Sequence, residues 1–321
     1  GESRDQSIQG RGAPVLSFAF KRLLAAIPTL LVLITLAFFM MRLAPGGPFD
    51  LEKPVPPEVR ANLDAAYGLD KPLIVQYASY LGDVLQGDLG PSFQYVDYTV
   101  NELIAQGFPV SLKLGFSAMI VAVFFGSIFG MIAAMRQNSA TDYGVMTVAM
   151  TGISIPNFVV APLLILVFAV AFGWLPAGGW NGGAWQNMVL PVIALALPQV
   201  AYVARIMRGS MIEILRSNYL RTARAKGLPM RQVILRHALK PAFLPVLSYL
   251  GPATAGIITG SVVMEQIFSI PGLGRFFVQG ALNRDYTLVL GVVIFYGALI
   301  IAFNFLVDLL YSVLDPKVRA Q

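Results

Sequence analysis

RSNYLRTARAKGLPMRQVILRHALKPAFLP, residues 216–245, is the hydrophilic stretch on which the reading of this chain turns. It fills most of an island, 206–245, set between long apolar segments. In and beside the island stand Arg205, Arg208, Arg216, Arg221, Arg224, Lys226, Arg231, Arg236 and Lys240, against Glu213 as the one acid. Basic residues confined to a gap between apolar runs set topology in a membrane. No catalytic constellation accompanies them, so the island is expected to hold orientation and to present a docking surface.

Composition agrees with a bilayer environment. The chain has 321 residues, 56% hydrophobic and 12% charged, with mean hydropathy +0.69. An ordinary globular protein carries about 25% charged residues. The net charge of +6 does not point to nucleic acid, because no aromatic-interleaved basic surface goes with it. The absence of cysteine excludes disulfides, thiolate nucleophiles and Cys-ligated metals. The single histidine, His237, lies in the island and cannot form a His-rich metal site, so no metal is expected.

Outward from the island, apolar segments of spanning length appear on both sides. A layer about 30 Å thick needs about 20 apolar residues. Residues 23–41 fit, bracketed by Lys21, Arg22 and Arg42, and residues 1–14 are set aside as a polar, disordered or expression-derived start. The first transmembrane helix is assigned to 15–42. Residues 43–107 are acidic and turn-rich, and read as a small extracytoplasmic subdomain. Within it, EVRANLDAAYGL predicts a short helix ending at Gly68, and KPLIVQYASYLGDVL a second. Residues 108–321 form a five-helix core. Its spans are read as 109–135, a proline-kinked 143–172 with room for an interfacial helix before it, 188–207, 242–268 and 287–314. Lys113 is placed to snorkel at the outer interface, and residues 173–187, without charge and rich in Gly and Trp, form an outer turn. Gly126-x-x-x-Gly130 and Gly256-x-x-x-Gly260 predict close helix packing. Six transmembrane helices with both termini cytoplasmic put every Lys/Arg-rich segment on one side.

Inside the island, 218–226 reads as a helix stopped at Gly227, and Pro229 as the first turn of another. Met230, Val233, Ile234 and His237 are expected on one face. Ala223 and Ala225 keep the first helix thin enough for a groove, and Arg221, Arg224 and Lys226 suit acids on a partner's rim. Spacing alone leaves a second reading equally open, a basic loop lying on anionic lipid headgroups.

RTARAKG, residues 221–227, resembles the cytoplasmic loop helix and glycine of the transmembrane permease subunits of ATP-binding-cassette importers, in the oligopeptide/dipeptide group. Arg221 stands where the generic loop has Glu, and Lys240-Pro241 where it ends in Leu-Pro. RLAPGGPF (42–49), GLDKPLIVQYASYL (68–81), GDLGPS (87–92), FPVSLKLG (108–115), SIPNFVVAP (154–162), IFSIPGLGR (267–275), ALNRDY (281–286) and LYSVLDPKVR (310–319) are similar to the same group, in order, over nearly the whole chain. The resemblance implies an all-α membrane protein with the type I importer permease fold in a bacterial inner membrane. It also implies a second permease, two ATP-binding subunits and an extracytoplasmic peptide-binding protein as partners, with membrane lipid around the chain.

On that resemblance Arg221, Thr222, Ala223, Arg224, Ala225, Lys226 and Gly227 contact the ATPase. ATP and Mg belong to the partners, since no GxxxxGK followed by Ser or Thr occurs here. The chain is expected to bind no cofactor and to be no enzyme. Ser154, Asn157, Thr254 and Glu265 are candidates for a substrate path, as polar groups at membrane depth face cavities. Asn304 and Asp308, one turn apart, suit pairing with a neighbouring helix. The same family includes importers of nickel complexes and glutathione. An ion-coupled carrier is the rival; Asp308 is its one deep acid by sequence, and no inverted repeat supports it. An intramembrane hydrolase centred on Ser154 lacks a base, because His237 lies in the island.

Overall fold

The computed structural model describes residues 13–43, 56–66, 68–95 and 97–314. Among these residues the chain is helical, with one isolated antiparallel bridge between Pro91 and Thr99 and no strand. The elements in order are α1 (Ala13–Leu43), α2 (Pro57–Ala66), α3 (Leu73–Leu85), α4 (Val100–Met135), α5 (Ala140–Ser154) and α6 (Asn157–Leu164), which a π turn continues through Ile165–Ala171. After them come α7 (Trp185–Leu215), α8 (Asn218–Ala225), α9 (Met230–Gln232) with a π turn at Val233–Ala238, α10 (Leu239–Gly260), α11 (Val262–Ile267), α12 (Leu273–Leu282) and α13 (Tyr286–Leu314).

Five stretches are long and apolar enough to cross a membrane: Leu24–Leu43, Val100–Met135, Trp185–Leu215, Met230–Ile267 and Tyr286–Val307. The sixth crossing, counted as one span, is α5 with Asn157–Ala171, and it is bent by 101°. Pro156 causes the break, because it has no N–H and forces the residue before it out of the helical region. Ile155 is accordingly extended, at φ −102° and ψ 120°.

The helices sort into two compact units, one holding the chain up to Val110 with Pro271–Ile301, the other Ser111–Ile270 and the chain from Ala302. In the first, Val100, Leu103 and Ile104 of α4 form a core with Leu273 of α12 and Leu288 and Val292 of α13. A Cβ on Gly107 would lie 2.9 Å from the backbone nitrogen of Leu273, so α12 rests directly on α4. Phe38 of α1 is fully buried, its ring 5.4 Å from Tyr77 and 5.8 Å from Tyr80 of α3. The two predicted short helices are present. Gly68, at φ +64°, ends α2, with the Leu69 amide donating to Asp64 O at 2.7 Å.

The second predicted span starts earlier than the sequence reading placed it. Thr99 and Glu102 make a capping box, in which the Thr99 amide donates to Glu102 Oε2 at 2.8 Å and the Glu102 amide to Thr99 Oγ1 at 3.3 Å. That cap nucleates α4 at Val100 and leaves Pro109 inside the helix. In the same unit, the buried carboxylate of Asp285 opens α13. It accepts from the Leu288 amide at 3.1 Å, the Gln94 amide at 3.2 Å and the Ser92 hydroxyl. The segment around Ser92 is thereby stitched to the start of the last long helix.

In the second unit, a Cβ on Gly126 would stand 2.7 Å from Val203 Cβ, and one on Gly130 2.5 Å from Ala204 O. The first small-residue pair therefore seats α4 on α7, as expected. Among the described residues Gly256 and Gly260 have open space around them; on α10 the close approach is at Gly251, against Val307. Lys113 finds a specific partner, donating to Gly183 O at 3.0 Å with its ammonium 5.5 Å from the Trp180 ring centroid.

Helix α7 has 31 residues, roughly 46 Å at 1.5 Å each. The fourth span was read as ending at Met207, but fully buried Met207 and Met211 carry its apolar stripe onward one turn apart. Residues 206–215 of the island are thus helix rather than loop. On the far side, residues 230–267 form one helical stretch long enough to span, apolar in its later part. The expected second short helix of the island is consequently the start of the fifth span, joined to it through the π turn.

Candidate functional site

The segment 221–227 occupies a sharply defined turn. Helix α7 ends with the Arg216 amide on Glu213 O (3.2 Å) and the Ser217 amide on Ile214 O (3.0 Å). Ser217 is extended, and α8 starts one residue later. The helix closes as a Schellman motif, since the Gly227 amide donates to Arg224 O at 2.9 Å and the Leu228 amide to Ala223 O at 3.4 Å. This closure needs a left-handed residue, and Gly227 supplies it at φ +76°.

One side chain fixes α8 to the body. Leu220 is 0% exposed, in a cluster with Met207 and Met211 of α7, Val233, Ile234 and Ala238 of the π turn, and Ala242 and Val246 of α10. Ala223 and Leu228 pack on the same cluster. Arg221, Thr222, Arg224, Ala225, Lys226 and Gly227 are left exposed. Of the two alanines expected to thin the helix for a groove, only Ala225 faces outward; Ala223 is half-buried because it shares the inward face with Leu220 at i+3 spacing. The exposed face carries three permanent or near-permanent cations, anchored on an element built from both flanking long helices.

The second island helix turns differently from its expected register. Val233, Ile234 and Ala238 are buried, while Met230 is 51% exposed and His237 is exposed. The π turn, with its i→i+5 bonding, moves the inward position from 237 to 238. Pro229 caps this helix from outside rather than entering its first turn, its carbonyl accepting from the Gln232 amide at 2.8 Å.

The four candidate path residues differ in exposure. Ser154 is exposed at the end of α5 and Asn157 half-buried at the start of α6, flanking the Pro156 break. Thr254 is 6% exposed within α10 and Glu265 0% within α11. Glu265 Oε1 accepts from Ser111 Oγ and Ser261 Oγ, each at 2.6 Å. These bonds tie α4 to the α10–α11 junction.

Asp142, which the sequence reading passed over, is 1% exposed and takes both arms of the Arg208 fork, 2.7 Å from Nε and 2.6 Å from Nη2. It also accepts from the Asn138 amide at 2.8 Å, and its own amide donates to Ser139 Oγ at 3.3 Å. The signal was present as Ser-x-x-Asp at 139–142, the pattern of a helix start. Arg208, counted as a topology charge, instead clamps the start of α5 to α7. Asp142, Glu265 and Asp285 are all buried within the protein. The Asp308 side chain lies outside the described residues, and Asn304 Oδ1 is buried without a partner among them.

These features belong to a recognisable group of proteins. A family described as "Binding-protein-dependent transport system inner membrane component" matches residues 126–320, and its N-terminal companion matches residues 15–115. The chain belongs to this family. It is 61% identical over 305 residues to the oligopeptide transport system permease protein OppB of Salmonella typhimurium and of Escherichia coli, covering 95% of this chain and 100% of each relative. It is 45% identical to the dipeptide transport system permease protein DppB of Bacillus subtilis, covering 94% of this chain and 97% of that protein. Among solved structures, an amino acid ABC transporter with histidines superposes at a TM-score of 0.53 with 21% identity, over 66% of this chain and 94% of that one. The inward-facing MetNI methionine ABC transporter gives 0.54 with 18% identity, over 66% and 96%. The fold is that of type I importer permeases. As an inner membrane component of such systems the chain is a multi-pass transport subunit and no enzyme. Family membership does not favour the ion-coupled carrier or the hydrolase.

Proposed function

We propose that this chain is the first of two paired permeases in an ATP-driven oligopeptide importer, and that residues 221–227 transmit the ATPase stroke. The substrate class rests on the 61% identity to permeases named for oligopeptide transport. The coupling role rests on one observation: α8 presents Arg221, Arg224 and Lys226 outward while Leu220 locks it into the cluster shared by α7 and α10. A push on α8 is therefore delivered to both long helices at once. Two ATPase subunits below would bind ATP and Mg, and an extracytoplasmic binding protein above would deliver peptide. Both termini and α8 face the cytoplasm in this reading, and residues 43–107 lie outside.

The proline break between α5 and α6 and the π turn at Val233–Ala238 are places where spans can rearrange without losing long runs of hydrogen bonds. Ser154 and Asn157, at the break, remain the better placed candidates for contact with peptide; Thr254 and Glu265 would have to be uncovered by that rearrangement.

The test is a double charge reversal, Arg224→Glu with Lys226→Glu, in the assembled importer. Membrane insertion is expected to persist while co-purification of the ATPases and peptide uptake both fall. Normal capture and normal uptake by this variant would exclude α8 as the coupling element. Uptake of a nickel complex or glutathione in place of peptide by the wild-type assembly would overturn the substrate.

A further inference from the structure

A cleft of about 520 Å³ opens in the second compact unit, where the α4–α5 turn meets the end of α7 and the outward side of α8. Three guanidinium groups line it, those of Arg136, Arg216 and Arg224. No carboxylate lines the cleft, and among the described residues none of the three arginines is paired with one. Two of the guanidiniums are oriented by neutral neighbours: Arg136 Nη1 donates to Thr141 Oγ1 at 3.4 Å and Arg216 Nη2 to Gln137 Oε1 at 3.0 Å. Each guanidinium has five N–H donors in a planar fork, so most of their donor capacity is unspent.

Ala134, Met135, Ile212 and Leu215 also line the cleft and add an apolar part to it. These are the closing residues of α4 and α7, and Arg136 and Arg216 each directly follow a helix of spanning length. In the orientation proposed above, the cleft lies on the cytoplasmic side, at the ends of two spanning helices. Guanidiniums match phosphate oxygens in bidentate geometry, and basic pockets between spanning helices suit phosphorylated headgroups. A partner's acidic side chain would satisfy the charge but has no use for the apolar part. A phospholipid uses both parts.

We propose that this cleft is a binding site for an anionic phospholipid, its phosphate held by Arg136, Arg216 and Arg224 and its glycerol and upper acyl carbons against Met135, Ile212 and Leu215. The bound lipid fills the space between the α4–α5 turn and α8. It thereby links the position of α8 to the membrane surface. The site is distinct from the coupling reading although Arg224 serves both, and it is tested without any ATPase present.

The experiment is native mass spectrometry of the full-length permease in detergent, titrated with phosphatidylglycerol and, at matched acyl chains, phosphatidylcholine. Phosphatidylglycerol is expected to be retained preferentially, and Arg136→Gln with Arg216→Gln to weaken it by at least about tenfold, with the elution profile of the protein unchanged. Equal retention of the two lipids by the wild-type chain would overturn the proposal, and this arm does not depend on any variant folding. So would unchanged phosphatidylglycerol affinity in the double variant. Displacement of the lipid by millimolar inorganic phosphate would likewise overturn it, as the site would then read phosphate alone.

Discussion

Replacing Gly227 isolates the backbone contribution to coupling. An added Cβ at this position meets nothing within 4 Å among the described residues, so any effect comes from the conformation at φ +76° and not from a clash. An alanine held in the left-handed region costs about 1–2 kcal/mol. Asparagine, which visits that region several-fold more readily, costs less. Proline is fixed near −65° and has no N–H, so it loses the conformation and the 2.9 Å bond to Arg224 O together, at a cost of about 3 kcal/mol or more. Leu220 and Leu228 still hold both sides of the turn, so these costs fall on the end of α8 and leave the spans intact. A shift of 1–2 kcal/mol changes a two-state population by a factor of about 5–30. Peptide uptake in proteoliposomes and co-purification of the ATPases should therefore rank wild type and Gly227→Asn above Gly227→Ala, with Gly227→Pro lowest, while the melting temperature of the isolated permease stays level. Full coupling in Gly227→Pro, or an equal loss in all three variants, would refute the reasoning.

Further outcomes follow from other sites. Arg208→Ala strands the buried Asp142 carboxylate and should lower permease stability by about 3–5 kcal/mol; adding Asp142→Ala should recover part of that in thermal unfolding. Gly130→Leu forces α4 off α7 at Ala204 and should cost more than about 1–3 kcal/mol, whereas Gly256→Ala and Gly260→Ala, which meet nothing among the described residues, should leave stability unchanged. Tyr80→Phe removes a buried hydroxyl that has no hydrogen-bond partner among the described residues and should be neutral or raise stability by up to about 1 kcal/mol. Burial pushes the Tyr80 phenol above its usual range, against the opposing pull of Arg42. The unfolded phenol ionises near pH 10, so above that the folded state binds the extra proton and stability falls as pH rises. Tyr80→Phe should flatten that alkaline loss, measured as melting temperature against pH.

Much of the fold was legible because lipid is a severe solvent. It demands long apolar runs, and those runs show in composition without knowledge of any contact. Gly68 and Gly227 were readable as helix stops because only a residue without Cβ enters the left-handed region freely, and both sit there at φ +64° and +76°. Helix starts were harder. The capping box at Thr99 and Glu102 placed α4 two turns ahead of Pro109, and a proline inside a helix is easily taken for its beginning.

The sequence by itself determined that the chain crosses a membrane, where its charged island lies, and that the island's first helix ends at Gly227. Only the tertiary structure decided which side of that helix is free. Leu220 turns inward because α7 and the π turn together offer it a closed apolar socket, and a π turn cannot be read from a pattern of three and four. Charge was equally mute about partners. Arg208 and Arg224 look alike in the sequence, yet one is pinned by a carboxylate 66 residues away and the other is left exposed, because distance along the chain says nothing of distance in space.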